Sequence, residues 1–224
     1  MTKKNVSLMD FNGNPNIGIY IFVNNKFCLI GPEVSKEKSQ EIEKTFGVPV
    51  YKISILNTEL VGIFASGDDN NIFVPELFDY EREALKSICE KHECNLIELD
   101  EIKNTYGNNL CVGDNTILIN AFYPEKFYKK LEKLGYKVSI VNNKKFDSVG
   151  STAKYLNGFF FFSQEYDEAD IEEEVKDKVS GVGTINSGSN YISSGVVGNN
   201  NGVIIGSSST SIEIQNIVES LDYL

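Results

Sequence analysis

A glycine returns along the chain at Gly18, Gly62, Gly107, Gly150 and Gly195, in steps of 44, 45, 43 and 45 residues. Each lies in a short apolar stretch, such as Leu60-Val61-Gly62-Ile63, that reads as the first strand of a unit. A turn follows each one: Asn24-Asn25, Asp68–Asn71, Asp114-Asn115, Asn157-Gly158 and Asn200–Gly202. These are residues that tolerate positive φ. A second apolar strand comes next: Phe27–Ile30, Ile72–Val74, Ile117–Ile119, Phe159–Phe162 and Val203–Ile205. A helix is predicted after each, over Lys36–Phe46, Tyr80–Lys91, Pro124–Leu134, Asp167–Lys178 and Ser211–Leu221. Ser35, Asp79, Pro124, Asp167 and Ser211 supply the start signals.

Five copies at a constant period define a repeat architecture. A strand-rich period of this length predicts a closed α/β propeller of five blades. The repeats run over about 12–55, 56–101, 102–142, 143–186 and 187–224 of a single domain. Four of the helices are followed by another β-like segment: Val48–Ile55, Asn95–Asp100, Tyr136–Val141 and Val179–Ile185. The fifth has none, while an unmatched segment, Asn5–Phe11, stands at the other end of the chain. The economical arrangement uses residues 5–11 to complete the last blade, closing the ring and leaving few free strand edges. Glycine within a strand marks close backbone approach, so the recurring glycines are expected where the first strands crowd the axis.

Net charge is −11, and of 21 basic residues only Arg82 is an arginine. Binding to a phosphate backbone needs a basic face, so if the chain works on a nucleoprotein it is expected to dock on a basic protein there, with little direct RNA contact. The apolar runs are strand-sized, which predicts no membrane span. No apolar segment follows the two N-terminal lysines, so no secretory leader is expected. Cys28, Cys89, Cys94 and Cys111 have no disulfide-framework spacing and read as free thiols of a cytoplasmic protein.

Asn14-Pro15-Asn16-Ile17-Gly18, Leu60-Val61-Gly62, Gly107-Asn108, Val149-Gly150-Ser151 and Ser194-Gly195-Val196-Val197 with Asn199–Gly202 resemble the translation initiation factor 6 family. The ending Gly206-Ser-Ser-Ser-Thr-Ser-Ile-Glu-Ile-Gln-Asn-Ile-Val-Glu is similar to that family's own, and the stop soon after the last helix is like that of archaeal members. The resemblance implies a pentein ring. It also implies binding to the intersubunit face of the large ribosomal subunit, at a basic protein beside the sarcin–ricin loop, which blocks joining of the small subunit. A role in large-subunit maturation, no catalysis, no cofactor and a monomeric state complete that expectation. By resemblance, the rim residues that meet the ribosome are Gly18, Ile19, Ile63, Asn108, Asn109, Ser151 and Val196. The family's proline after the second strand is kept at Pro32 and Pro75, whereas Ala121, Gln164 and Ser207 stand in the other repeats.

Other chemistry is weighed beside this. Pentein enzymes that modify guanidines need a thiolate in the last repeat. Residues 112–224 hold no cysteine, and the sole histidine, His92, reads as a solvated helix end. Cys89-x-x-His92-x-Cys94 has ligand spacing for zinc but lacks an evident fourth ligand, so packed thiols are the expectation. Glu172–Glu174 reads as a solvated helix face, Phe159–Phe162 as a buried strand, and Gly181–Gly188 as a loop rather than a phosphate cradle. A structural repeat protein without a ribosomal partner is the remaining alternative.

Overall fold

A computed structural model describes residues 4–143 and 145–221. It contains five three-stranded sheets, one per repeat. The first four are β2 (Ile21–Val23)–β3 (Cys28–Ile30)–β4 (Val50–Lys52), β5 (Ser66–Gly67)–β6 (Asn71–Pro75)–β7 (Asn95–Leu99), β8 (Leu110–Gly113)–β9 (Thr116–Ile119)–β10 (Lys137–Ile140) and β11 (Ala153–Leu156)–β12 (Phe159–Ser163)–β13 (Val179–Gly183). The fifth joins β14 (Val196–Asn199) and β15 (Gly202–Gly206) to β1 (Asn5–Met9). In each sheet the first pair is antiparallel across the tight turn and the second pair is parallel, across the intervening helix in the first four. β1 runs parallel to β15, from Asn5 opposite Gly202 to Met9 opposite Gly206, so the N-terminal strand completes the last blade. The expected absence of a leader concerns residues that include 1–3, which lie outside the described ones, as do 222–224 at the other end.

The outer helices are α1 (Lys36–Phe46), α3 (Asp79–Lys91), α5 (Glu125–Lys133), α7 (Glu173–Lys176) and α9 (Ser211–Ser220). Ser35 caps α1 through its side chain, accepting from the Lys38 N–H. α9 is capped by Thr210 rather than Ser211, in a reciprocal box with Glu213. The fourth helix departs from expectation. Asp167–Lys178 breaks into a 3-10 turn, Glu168–Asp170, and the single turn α7. Six carboxylates within Asp167–Glu174 repel one another there, and among the described residues only Ile171 and Val175 anchor the segment to the core.

The glycine stretches also differ from their reading as strands. They are single helical turns: a 3-10 turn at Ile17–Ile19, then α2 (Val61–Phe64), α4 (Tyr106–Asn109), α6 (Val149–Thr152) and α8 (Ile192–Gly195). The first strand of each blade begins only after the turn. This alters one equivalence. The second residue of the turns is Gly18, Gly62, Gly107 and Gly150, and in the fifth it is Ser193, not Gly195. Gly195 ends its turn and packs against Ile185 and Asn186 instead.

The apolar core is divided into five clusters, each between consecutive blades. One joins Phe27 and Leu29 of the first blade to Ile72 of the second and to Leu85 and Cys89 of α3. Another joins Val197 and Ile204 of the fifth blade to Cys28 and Ile30 of the first, with Ile42 and Phe46 of α1 between them. The remaining three repeat the pattern around the ring. Every outer helix therefore seals a seam as well as covering a sheet. Phe159–Phe162 fits this division: Phe160 and Phe162 enter one seam, Phe161 the next, and Phe159 alone is 42% exposed.

Candidate functional site

The five helical turns gather at one end of the ring axis. Their first residues, Ile17, Val61, Tyr106, Val149 and Ile192, are fully buried and anchor each turn in its seam. The second residues then meet in a circle. A Cβ on Gly62 would overlap the carbonyl oxygen of Gly18, one on Gly107 that of Gly62, and one on Gly18 that of Ser193. At Gly150 the overlap with the Gly107 carbonyl oxygen would be at 2.7 Å. The last junction is looser: Ser193 has room for its hydroxyl, which donates to the Ala153 carbonyl at 2.7 Å. Glycine is required because backbone packs on backbone.

The third residues, Ile19, Ile63, Asn108, Ser151 and Ser194, are half-buried and line a depression of about 410 Å³ over this circle. Asn16, Ser148 and Tyr191 complete its wall, and among the described residues none of the lining carries a charge. Its polar groups are partly tied down. Ser151 Oγ donates to the Asn108 carbonyl at 3.4 Å, and Ser194 Oγ donates to Tyr191 O at 2.7 Å. Among the described residues the Asn108 side chain makes no such bond, so its amide is available to donate and accept. The surface is a shallow, rigid, uncharged patch of mixed aliphatic and amide character, suited to shape-matched contact with another macromolecule.

The other end of the axis is chemically different. There the hairpin turns surround a cavity of about 570 Å³ lined by Asp68, Asp69, Asp114 and Lys154 among asparagines. The turns are bonded blade to blade. Asn25 donates from its N–H and Nδ2 to the Asp69 carboxylate at 2.7 and 2.8 Å, and the Asn200 N–H donates to Asn25 Oδ1 at 2.9 Å. Tyr136 Oη donates to Asp68 at 2.7 Å, and Lys178 pairs with Asp114. Burial holds the Lys154 amine below the usual lysine range.

A profile of the eIF-6 family matches residues 6–220. Translation initiation factor 6 of Picrophilus torridus is 32% identical over 97% of this chain and 99% of its own length. The factor of Staphylothermus marinus is 31% identical over 93% and 94%. The chain belongs to the eIF-6 family. Among solved structures, an amidinotransferase from Microseira wollei, SxtG, superposes with a TM-score of 0.54 over 83% of this chain and 70% of its own, at 10% identity. That likeness identifies the pentein fold.

With the family known, the expected rim residues can be placed. The turns bring Gly18, Ile19, Ile63, Asn108 and Ser151 together. Asn109 and Val196 are not part of that surface. Asn109 is 6% exposed, because it closes the helical turn inward and donates to Thr105 Oγ1 at 3.2 Å. Val196 is fully buried at the start of β14, and Ser194 takes the position assigned to it. His92 is not solvated either. It is half-buried, shares a 2.8 Å hydrogen bond with Tyr51 Oη, and packs against Phe27. Burial, followed by the charges of Lys91 and Lys26, pushes its pKa down. Cys111 borders the axial cavity, but burial pushes its thiol up to about 12, the behaviour of a packed thiol rather than a nucleophile. Among the described residues no three His, Cys, Asp or Glu side chains converge as a metal set. Gly181 and Gly183 belong to β13, and the loop proper begins after it.

Sequence reasoning missed two buried carboxylates that hold the loops leading into the turns. Glu81 accepts from Leu56 N–H at 3.0 Å and Asn57 N–H at 2.9 Å, where both residues have positive φ. Glu213 accepts from Ser187 and Gly188 N–H, Thr184 Oγ1 and Thr210 N–H. Both occupy the third position of their helix. The signal available was the Thr210-x-x-Glu213 capping pattern, whose glutamate serves the distant loop as well. In the first repeat Lys38 holds that position and pairs with Asp10, whose carboxylate takes over the loop N–H of Gly13 at 2.9 Å.

Proposed function

We propose that this protein binds the large ribosomal subunit through its helical-turn face and sterically prevents joining of the small subunit. Membership of the eIF-6 family across all five repeats carries the proposal. The rigid circle of backbone contacts favours it, because such a patch loses little entropy on docking. The uncharged depression is matched to a protein surface rather than to RNA phosphates. The net charge of −11 steers the ring toward a basic ribosomal protein over longer range. On this reading the chain is a single five-repeat domain and a cytoplasmic monomer, and it acts without catalysis. A role in large-subunit maturation follows from the same occupancy. An interface of about 800 Å² per partner is sufficient for stable association.

The test is sucrose-gradient sedimentation of the purified protein with ribosomal fractions. Co-migration with free large subunits but not intact ribosomes, and a loss of subunit joining on titration, are the expected results. Equal binding to all fractions, or to none, overturns the proposal.

A further inference from the structure

The Cys89/Cys94 pair stands away from the helical-turn face and is not needed by the reading above. α3 ends in a Schellman motif. Glu93 takes a positive φ of 51°, and the Cys94 N–H donates to the Cys89 carbonyl at 2.9 Å across the helix end. That motif brings the side chains at its two ends together, and here both are cysteines. Their thiols lie close enough to perturb each other's ionisation. Both are free and buried, with Cys94 the more accessible of the two. His92, within the same sequence motif, is turned away to Tyr51 and does not complete a metal set.

We propose that Cys89 and Cys94 form a redox-active dithiol that a small disulfide oxidant, such as oxidised glutathione, converts to an intramolecular disulfide. The backbone bond across the motif holds the two residues close, the chief requirement for a bridge. Cys94 is the attacking partner. The neighbouring Cys89 thiol and the ammonium of Lys26, whose Nζ donates to the Glu93 carbonyl at 2.8 Å, both hold its pKa down. Cys94 as thiolate attacks one sulfur of the oxidant, and one glutathione leaves as thiolate. Cys89 loses its proton and attacks Cys94 Sγ of the mixed disulfide, releasing the second glutathione. Two protein thiols are oxidised and one disulfide is reduced to two thiols. Cys28 and Cys111 are internal controls, because burial raises both and, among the described residues, no other cysteine perturbs either one.

The experiment treats the full-length protein with oxidised glutathione, blocks remaining thiols and maps tryptic peptides. Cleavage after Lys86, Lys91 and Lys103 separates the two cysteines. The bridge would therefore appear as residues 87–91 linked to residues 92–103, with Cys28 and Cys111 reduced. In Cys89→Ser the resolving thiol is gone, and a stable glutathione adduct on Cys94 is expected in its place. Reduced Cys89 and Cys94 in the wild type under conditions that oxidise a reference dithiol would overturn the proposal. So would a lasting adduct in the wild type, or a bridge to another cysteine.

Discussion

Single atoms decide the geometry at the axis. A methyl group on Gly62 has nowhere to go except into the Gly18 carbonyl, which belongs to the neighbouring blade's backbone and cannot rotate aside. Gly62→Ala is therefore expected to cost about 3 kcal/mol, the upper range for overpacking. Ser193→Ala occupies the matching position in the fifth blade and loses only its hydrogen bond to Ala153, about 1 kcal/mol. Denaturant midpoints of the two variants should differ accordingly; equal losses would show that the circle of backbone contacts is not tight. Glu213 governs a second site of this kind. Burial alone would raise its carboxyl, but hydrogen bonds from Thr210, Thr184, Gly188 and Ser187 outweigh burial and bring it to about 2. A folded-state pKa below the unfolded value adds stability that is complete above about pH 4.5 and is lost as pH falls through about 2. The shift corresponds to about 3 kcal/mol. Glu213→Gln should lower stability at pH 7 and flatten its decline between pH 5 and about 2. A parallel decline in both proteins would remove Glu213 as the cause.

At the scale of elements, the chain shows which patterns carry information. The turn residues and the second strands were legible because Asn, Asp and Gly clusters bracket runs too short for helices. The closing role of residues 5–11, of which 5–9 form the strand, was legible from a deficit: one blade lacked a third strand. The helical turns were not, because Val61–Phe64 has the composition of a strand and is only four residues long. No periodicity exists at that length, and packing at the axis overrides the β preference of Val and Ile. The same misreading transferred the fifth glycine from Ser193 to Gly195, and with it placed Val196 on the rim. Removal of residues 1–11 tests the closure itself. It strips β1 from β15 and takes Met9 and Phe11 out of a seam, apolar burial of about 3 kcal/mol or more. It also bares the β15 edge for pairing with other chains. A lower melting temperature with concentration-dependent association in light scattering is the expected result. An unchanged, monodisperse protein would mean that β1 is dispensable.

The whole ring has two chemically distinct ends, and the sequence could not separate them. Its charge argued for a basic partner and its resemblance for a rim of Gly18, Ile19, Ile63, Asn108, Asn109, Ser151 and Val196, of which Asn109 and Val196 are buried. Yet the carboxylates Asp68, Asp69 and Asp114 surround the opposite mouth. A charge counted along the chain carries no address, because the repeats place helical turns and hairpin turns at opposite ends of one axis. Docking by the helical-turn face therefore makes a directional prediction. Ile63→Asp puts a charge into the uncharged depression, where contact would desolvate it, and should reduce large-subunit binding by at least about tenfold. Asn108→Ser removes an amide from the lining of the depression and should weaken binding by about 1 kcal/mol, with thermal stability unchanged. Asn70→Lys adds a charge at the exposed hairpin mouth, where the Asn70 backbone keeps its bonds, and should leave binding unaltered apart from a small salt-dependent change in on-rate. Measured together by sedimentation and by subunit-joining assays, the three variants fix the orientation of the ring on its partner. Loss of binding with Asn70→Lys and tolerance of Ile63→Asp would turn the ring over and make the acidic hairpin mouth the docking face.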